Sequence, residues 1–318
     1  MKVVLGHDFG ADFVADMRRL HPQIELCPAY TEEECLRHLE NAEVFIGELT
    51  PATFHAGRQL RWFHYGGIGV DKFVDDIPGF VESDFIFTNC RQTHVIAMAD
   101  HVFALILAFA HCVPELLQDQ HSHTWNTHRY KGRVRELAGT TMGILALGDI
   151  GRAVAQRAQG FEMEVYAIDI APMDTPAGVR ALWPPERLDD MLARTDWLVI
   201  TAPLTSRTRN MIDQRALEQL KPGAFIAVVS RGGIVNEKAL VEGLQSGRIG
   251  GAGLDALERE PLPPDHPLWQ MPNVIISPHV SADSAQMWQR REQITRENLR
   301  RYLAGESLMY LCDKKAGY

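Results

Sequence analysis

An arginine stands two residues after an apolar, strand-like segment in the second half of the chain. The run from Ala224 to Val229 is followed by Ser230, Arg231 and two glycines. A guanidinium is costly to bury unless an anion meets it, and its planar fork matches a carboxylate. The glycines would let a ligand approach the backbone closely. Arginines at strand ends are more often surface charges, but this pattern favours an anion-binding role for Arg231.

A second candidate site is a glycine-containing turn between two strand-like segments. Residues 146–151 (ALGDIG) follow an apolar strand and open a helix, and the next strand ends in Asp169, 21 residues after Gly148. This resembles the dinucleotide-binding fingerprint, in which glycines admit a pyrophosphate to a helix N-terminus and an acid binds ribose. The predicted contacts are Gly148, Asp149, Ile150, Gly151 and Asp169.

Two features of this turn bear on the cofactor. Ala146 occupies the first glycine position, where an added methyl group would crowd the turn. The alternative is a strand-to-helix turn of some other α/β protein. The carboxylate of Asp169 would accept hydrogen bonds from ribose hydroxyls and repel a 2′-phosphate, so the sequence favours NAD over NADP.

The composition excludes several classes of protein. The 318 residues are 46% hydrophobic and 23% charged, which is enough chain for two globular domains. A formal net charge of −9 argues against a nucleic-acid binder, and the longest apolar run, 102–110, is too short to span a membrane. Five cysteines without a C-x-x-C pair, and no secretory leader after Met1, predict a cytoplasmic protein without a disulfide framework or zinc site.

Strand-like and helical segments alternate along the chain. Near-continuous apolar strands separated by helices are typical of parallel sheets covered on both faces, so we predict an α/β fold with two doubly wound sheets. The proline-rich segment 171–186 is predicted to be a loop or linker. The strand candidates are 2–5, 43–47, 61–65, 85–88, 142–147, 163–168, 197–201, 224–229, 251–255 and 273–276.

Three later segments carry a more specific resemblance. Residues 201–213, 220–263 and 266–281 look like the signature segments of the D-isomer-specific 2-hydroxyacid dehydrogenases. The similarity covers 139–281 nearly without a gap. It extends more weakly to 65–73 and 94–108, where Asp100 stands at a place that the family usually fills with glutamate.

The resemblance implies a domain layout. Residues 100–281 would form a Rossmann-type NAD domain, and residues 1–99 a flavodoxin-like substrate domain to which 282–318 return through a helix from Ser281 to Leu303. It also implies a homodimer, with the apolar helix 102–117 and Trp125 as contacts. Burial inside the monomer is the alternative for that helix.

Arg231, Glu260 and His279 match the family's catalytic arginine, glutamate and histidine. The arginine would hold the carboxylate and carbonyl oxygen of a 2-keto acid together. The histidine would donate the proton, because an imidazole ordinarily titrates within about one unit of neutrality. The glutamate would favour the protonated ring and orient it. Glu258 and Asp255 compete for the glutamate's role, but Glu260 directly precedes a proline, as in the family motif.

Further positions follow from the resemblance. Backbone amides near Ile68 and Gly69 would receive the substrate carboxylate, with a tight structural turn as the alternative. Asp255 would lie near the nicotinamide amide. The other expected cofactor contacts are Pro203, Thr208, Val229, Ser230, Arg231 and His279. No metal is expected, and the cluster His121, His123 and His128 is interpreted as a solvated or interface loop.

The predicted function is NAD-dependent interconversion of a 2-keto acid and a D-2-hydroxy acid. Glu48, after a strand, is expected near the pocket mouth, where it would disfavour a phosphorylated acid. Glyoxylate, hydroxypyruvate and bulkier keto acids stay open. The alternatives are an NAD(H)-sensing, corepressor-like scaffold and a formate dehydrogenase, in which the histidine pairs with glutamine rather than glutamate.

Overall fold

The computed structural model describes residues 1–171 and 173–315. Pro172, in the predicted loop 171–186, and residues 316–318, in the predicted returning segment, lie outside the described residues.

The chain divides into two compact units. We call Met1–Thr93 with Ser284–Tyr318 the terminal unit, and His94–Asp283 the central unit. The sequence placed the first boundary at residue 99, which would cut through a continuous helix that begins at Val95. The division lies before this helix because the helix packs on the sheet of the central unit.

The terminal unit contains a five-stranded parallel sheet in the order β2-β1-β3-β4-β5. This is the flavodoxin-like doubly wound order, as predicted. All four residues of β3 are buried, because helices cover both faces of the sheet. The elements are β1 (Lys2–Leu5), α1 (Ala11–Leu20), β2 (Glu25–Pro28), α2 (Glu32–Leu39), β3 (Val44–Gly47), α3 (Pro51–Ala56), β4 (Trp62–Tyr65), α4 (Asp71–Asp76) and β5 (Ile86–Asn89).

The central unit contains a seven-stranded parallel sheet in the order β12-β11-β10-β9-β6-β7-β8. Its first six strands in chain order follow the Rossmann arrangement, which confirms the predicted fold class. The elements are α5 (Val95–Ala110), α6 (Val113–His121), β6 (Thr141–Leu145), α7 (Asp149–Gly160), β7 (Glu164–Ile168), β8 (Ala181–Trp183), α8 (Leu188–Leu192), β9 (Trp197–Ile200), α9 (Gln214–Gln219), β10 (Ala224–Val228), α10 (Glu237–Gln245), β11 (Ile249–Leu254) and β12 (Val274–Ile276).

Two strands, β2 and β8, were not predicted from the sequence. β8 lies inside segment 171–186, so the prediction of a loop was wrong there, and β2 was not predicted at all. Both strands lie at the edges of their sheets. Edge strands are only partly buried and tolerate proline. Pro28 lies in β2 and Pro184 directly follows β8, so both segments look like loops in the sequence.

The predicted apolar helix 102–117 is two helices. α5 ends at Ala110, and Cys112 adopts a left-handed φ of 55° before α6 begins. Val102, Ile106 and Ala110 are fully buried, so α5 belongs to the core of the central unit. Among the described residues, no single helix is long and apolar enough to cross a membrane. Helices α5 and α6, which are bent by 64° relative to each other, have a sufficient length and apolar composition only when they are taken together.

The last helix, α11 (Ala285–Ala304), returns to the terminal unit. Ser284 caps it by accepting a hydrogen bond from the Met287 N–H (3.1 Å), so the helix begins four residues later than predicted. The buried imidazole of His64, on β4, contacts Thr295 of α11 (3.1 Å) and Thr88 of β5 (2.8 Å). Burial lowers the pKa of His64 to about 3, so the ring is a neutral link between helix and sheet at physiological pH.

Candidate active site

The candidate site follows the carboxyl ends of three neighbouring parallel strands. Arg231 comes three residues after β10, Asp255 directly after β11, and His279 three residues after β12. The three strands pair in one sheet. At roughly 5 Å between strands, β10 and β12 are about 10 Å apart, which is within reach of one small organic anion and the side chains around it.

The loop that carries Arg231 lies against the loop that carries Glu260. A Cβ added at Gly232 would come within 2.0 Å of the Leu257 backbone, and Gly233 has a φ of +76°. Gly232 is therefore required for the contact between two loops, and the approach of a ligand to these glycines stays a prediction. The Arg231 Nη1 donates to the Ser230 carbonyl oxygen (2.8 Å), which orients the guanidinium.

The structure brings Glu260 and His279 together. The Nδ1 atom of His279 lies 2.8 Å from the Glu260 Oε2, and the other carboxylate oxygen accepts the Leu257 N–H (2.9 Å). Glu258 is exposed, and its N–H donates to the Glu237 carboxylate (3.2 Å). With Nδ1 bonded to a carboxylate, the His279 Nε2 is the atom that can serve a substrate.

Asp255 holds the loop after β12. Its side chain is fully buried. One oxygen accepts hydrogen bonds from the Ser277 hydroxyl (2.6 Å) and the Val280 N–H (2.9 Å), and the other accepts the Ser281 N–H (3.0 Å). The expected contact between Asp255 and the nicotinamide amide stays a prediction. The observed bonds link the carboxylate to the Ser277 hydroxyl before His279 and to backbone N–H groups after it.

The glycine-containing turn fits the pyrophosphate of a dinucleotide. Gly148 caps α7, and a Cβ added there would meet no atom within 4 Å, so open space lies beside the backbone at a helix N-terminus. At Gly151 a Cβ would come within 2.3 Å of the Ala146 oxygen, so helix and strand pack too closely for a side chain. Asp149 and Ile150 form the first turn of α7, where backbone N–H groups lack helical partners.

Asp169 follows β7 and contacts this turn directly. Its Oδ2 accepts the Leu147 N–H (2.7 Å) and its Oδ1 the Ala171 N–H (2.8 Å). A carboxylate has about four acceptor positions, so binding of ribose hydroxyls is compatible with both bonds. That contact stays a prediction, but a structural role for Asp169 is evident.

Other expected cofactor positions lie at the same edge of the sheet. Val229 is fully buried. The buried Ser230 hydroxyl has no hydrogen-bond partner among residues 1–171 and 173–315, so a ligand could supply one. Beyond β9, the Thr208 hydroxyl donates to the Pro203 carbonyl oxygen (2.7 Å) and accepts the Thr205 N–H (2.8 Å), which closes that loop.

The expected substrate residues lie in the terminal unit. Ile68 and Gly69 follow β4, and the Ile68 carbonyl oxygen accepts a hydrogen bond from the Asn89 side chain (2.9 Å). Glu48 follows β3 and pairs with Lys72 at 2.5 Å. Because Lys72 neutralises this carboxylate, the charge of Glu48 no longer gives a reason to expect that a phosphorylated acid is disfavoured.

The three histidines near Trp125 in the sequence, His121, His123 and His128, are exposed. His121 ends α6, and its Nδ1 contacts the Leu117 carbonyl oxygen (2.6 Å). Within the part of the chain that the structure describes, no three histidine, cysteine or carboxylate side chains gather in a way that would hold a metal ion.

Comparison with known proteins decides the family. The model of the NAD binding domain of D-isomer specific 2-hydroxyacid dehydrogenases matches residues 103–281, more than half of the chain. The chain belongs to the D-isomer specific 2-hydroxyacid dehydrogenase family. The match confirms the family resemblance and the NAD cofactor expected from the sequence.

Named relatives support the assignment. D-3-phosphoglycerate dehydrogenase of Methanocaldococcus jannaschii is 30% identical over 288 residues, covering 89% of this chain and 54% of the relative. Glyoxylate reductase of Korarchaeum cryptofilum is 33% identical over 256 residues, covering 80% and 76%. A D-isomer specific 2-hydroxyacid dehydrogenase from Xanthobacter autotrophicus, solved with NADPH and MES, has a TM-score of 0.82 at 29% identity, covering 100% and 99%. The chain spans about half the length of the phosphoglycerate dehydrogenases that it matches.

Two side chains beside the site of this family member, Ser277 and His101, were not predicted from the sequence. Ser277 precedes Pro278 and His279, and its hydroxyl contacts both Asp255 (2.6 Å) and His101 Nε2 (2.8 Å). The position of Ser277 next to the histidine motif was an available signal. His101 carries no such signal, because 176 residues separate it from Ser277.

We expect Ala146→Gly to stabilise this family member. Ala146 has a φ of +76°, a left-handed conformation that costs a residue with a Cβ about 1–2 kcal/mol. Glycine removes that cost and loses about 0.5–1 kcal/mol through backbone entropy, so the net gain in unfolding free energy should be about 0.5–1 kcal/mol. Urea denaturation followed by tryptophan fluorescence measures it.

Ala153→Gly is the matched control. Ala153 lies inside α7, where glycine should destabilise by about 1 kcal/mol. A loss of stability in both variants would contradict a strained turn at Ala146.

Proposed function

We propose that the protein interconverts a 2-keto acid and a D-2-hydroxy acid by hydride transfer with NAD(H). The contact of 2.8 Å between His279 and Glu260, at the same sheet edge as Arg231, is the observation that carries this proposal. Bound at this edge, NADH would supply the hydride. The side chains would supply the substrate anchor and the proton.

Arg231 would anchor the substrate. Reduction needs the keto acid held with its carbonyl carbon facing the hydride donor, and a planar guanidinium can bind a carboxylate and a neighbouring carbonyl oxygen in one plane. The bond from Arg231 to the Ser230 carbonyl oxygen supports a fixed guanidinium. Fixed positive charge also stabilises the oxyanion character that develops on the carbonyl oxygen.

His279 would act as acid and base. In reduction its Nε2–H donates a proton to the carbonyl oxygen, and in oxidation the neutral ring takes the proton back. Glu260 would stabilise the charged ring and keep Nε2 directed at the substrate. The bond from the Leu257 N–H to Glu260 holds that carboxylate in place.

The terminal unit would contribute to substrate binding. We propose that backbone amides near Ile68 and Gly69 bind the substrate carboxylate. The carbonyl group of Ile68, fixed by Asn89, supports an ordered backbone in this turn. Glyoxylate, hydroxypyruvate and longer 2-keto acids are the substrates to test, together with phosphorylated ones, because Lys72 pairs with Glu48. Free cysteines at all five positions support a cytoplasmic location.

We expect His279→Ala to lower turnover of 2-keto acids by about 100-fold or more, the usual contribution of a general acid, while NADH still binds. Arg231→Ala should chiefly raise the KM for the keto acid. NADH oxidation over keto acids of graded size, with product chirality determined and NADH binding followed by fluorescence, measures both. Turnover like that of the wild type in the His279 variant would refute the assignment, and no turnover by the wild type would favour an NAD(H)-sensing scaffold.

A matched pair identifies the partner of the histidine. Glu260→Gln should lower kcat because the ring loses a charged partner, while Glu258→Gln should leave kcat within about twofold, since the carboxylate at His279 Nδ1 is that of Glu260. The opposite ranking would assign the partner role to Glu258.

Cofactor choice depends on the charge of Asp169. We propose a preference for NADH over NADPH, and we expect Asp169→Asn to shift the ratio of the two kcat/KM values toward NADPH by about tenfold or more, because a carboxylate repels a 2′-phosphate. Asparagine keeps an acceptor for the Leu147 N–H but loses the one for the Ala171 N–H. Asp174→Asn, an exposed acid nearby, is the control, and a wild type that prefers NADPH would contradict the proposal.

We propose a homodimer formed through α6 and the segment after it. Trp125 is 94% exposed, and Leu116 and Leu117 on α6 are about half exposed, so an apolar surface lies in solvent in the single chain. Trp125→Ser should shift the protein toward monomers in light scattering. Trp269→Ser, which changes a half-exposed tryptophan elsewhere, should not. A monomeric wild type would refute the dimer.

A further inference from the structure

A chain of hydrogen bonds ties helix α5 to the loop that carries His279. The His101 Nε2 lies 2.8 Å from the Ser277 hydroxyl oxygen, which lies 2.6 Å from the Asp255 carboxylate. An ionised carboxylate only accepts hydrogen bonds, so the serine donates its proton to Asp255. The serine oxygen must then accept from His101. The chain therefore runs in one direction, from His101 through Ser277 to Asp255.

Asp255, which this chain of hydrogen bonds holds in place, in turn holds the backbone next to His279. It accepts the N–H groups of Val280 (2.9 Å) and Ser281 (3.0 Å), and the Ser277 carbonyl oxygen accepts the N–H of His279 (3.0 Å). The loop is thus held on both sides of the histidine.

His279 needs such support because its backbone is strained. Its φ is +55°, a left-handed conformation that a residue with a Cβ adopts only where the surroundings hold it. Its side chain must also stay within 2.8 Å of Glu260. A shift of the loop by about 1 Å would break that contact, and misplacement on this scale can cost up to about 100-fold in rate.

We propose that His101 is a positioning residue for His279. By donating to the Ser277 hydroxyl, it keeps that hydroxyl directed at Asp255 and so holds the strained loop in the conformation that pairs His279 with Glu260. His101 does not touch the reacting atoms in this scheme. Its effect on turnover rests on the proposed function, whereas its effect on the loop does not.

The decisive experiment measures how well the loop is ordered, and it does not depend on enzyme turnover. His101→Phe keeps a ring but removes the donor, whereas His101→Gln places an amide N–H near the position of the imidazole Nε2. Hydrogen–deuterium exchange of a peptide that contains Val280 and Ser281 should be about fivefold faster in the Phe variant, the usual worth of one lost hydrogen bond, and near the wild-type rate in the Gln variant. His111→Phe changes an exposed imidazole at the end of the same helix and should leave the exchange unchanged.

A second variant changes the middle residue of this chain of hydrogen bonds. Ser277→Ala removes the hydroxyl that links His101 to Asp255, so it should accelerate exchange of the same peptide as His101→Phe does. This variant tests the link even if the bulkier phenylalanine prevents folding. Wild-type exchange in Ser277→Ala would overturn the proposal.

Kinetics separate positioning from general stability. In an enzyme that reduces a 2-keto acid, His101→Phe should lower kcat by about tenfold and leave the KM for NADH within about twofold, and His101→Gln should restore most of the kcat. Exchange equal to the wild type in His101→Phe, or a Gln variant as impaired as the Phe variant, would overturn the positioning role. A wild type without turnover but with the expected exchange pattern would contradict the proposed function alone.

Discussion

The candidate site depends on the parallel pairing of β10, β11 and β12. Val228 lies opposite Leu254, and Leu254 lies opposite Ile276, so the three strands end at the same level. Backbone bonds extend this alignment past the strand ends, since the Asp255 N–H donates to Val228 and the Ser277 N–H to Leu254. The loops that carry Arg231 and His279 therefore start from one edge, although 48 residues of chain separate them.

Alignment of strands brings loops near each other, but buried contacts determine their shape. Gly232 leaves room for the Leu257 backbone, which in turn donates to Glu260. Asp255 is a buried carboxylate, and burial of such a charge is costly unless hydrogen bonds satisfy it. Its donors come from the loop after β12, so the loop conformation that satisfies the charge is also the one that presents His279.

In the glycine-containing turn, too, hydrogen bonds hold a strained residue in place. Ala146 is held in a left-handed conformation, and the Thr201 hydroxyl donates to its carbonyl oxygen (2.7 Å). Asp169 accepts the next N–H along the chain, that of Leu147 (2.7 Å). These bonds keep α7 close against β6, where Gly151 provides the necessary space. Intrachain bonds and packing thus fix the shape of the turn that would receive the pyrophosphate.

The fold class, the NAD-binding domain and the family could be predicted from the sequence, because apolar strands, glycine spacing and local motifs are visible along the chain. It failed at β2 and β8, where edge strands lack a buried pattern, and at residues 111–112, where one apolar run bends into two helices. Tertiary contacts, by contrast, pair His279 with Glu260 rather than with its competitor Glu258, and they reveal the pairs Lys72–Glu48 and His101–Ser277. Such contacts join residues distant in the chain, and their geometry depends on the register of whole strands and on loop packing, which local sequence patterns do not specify.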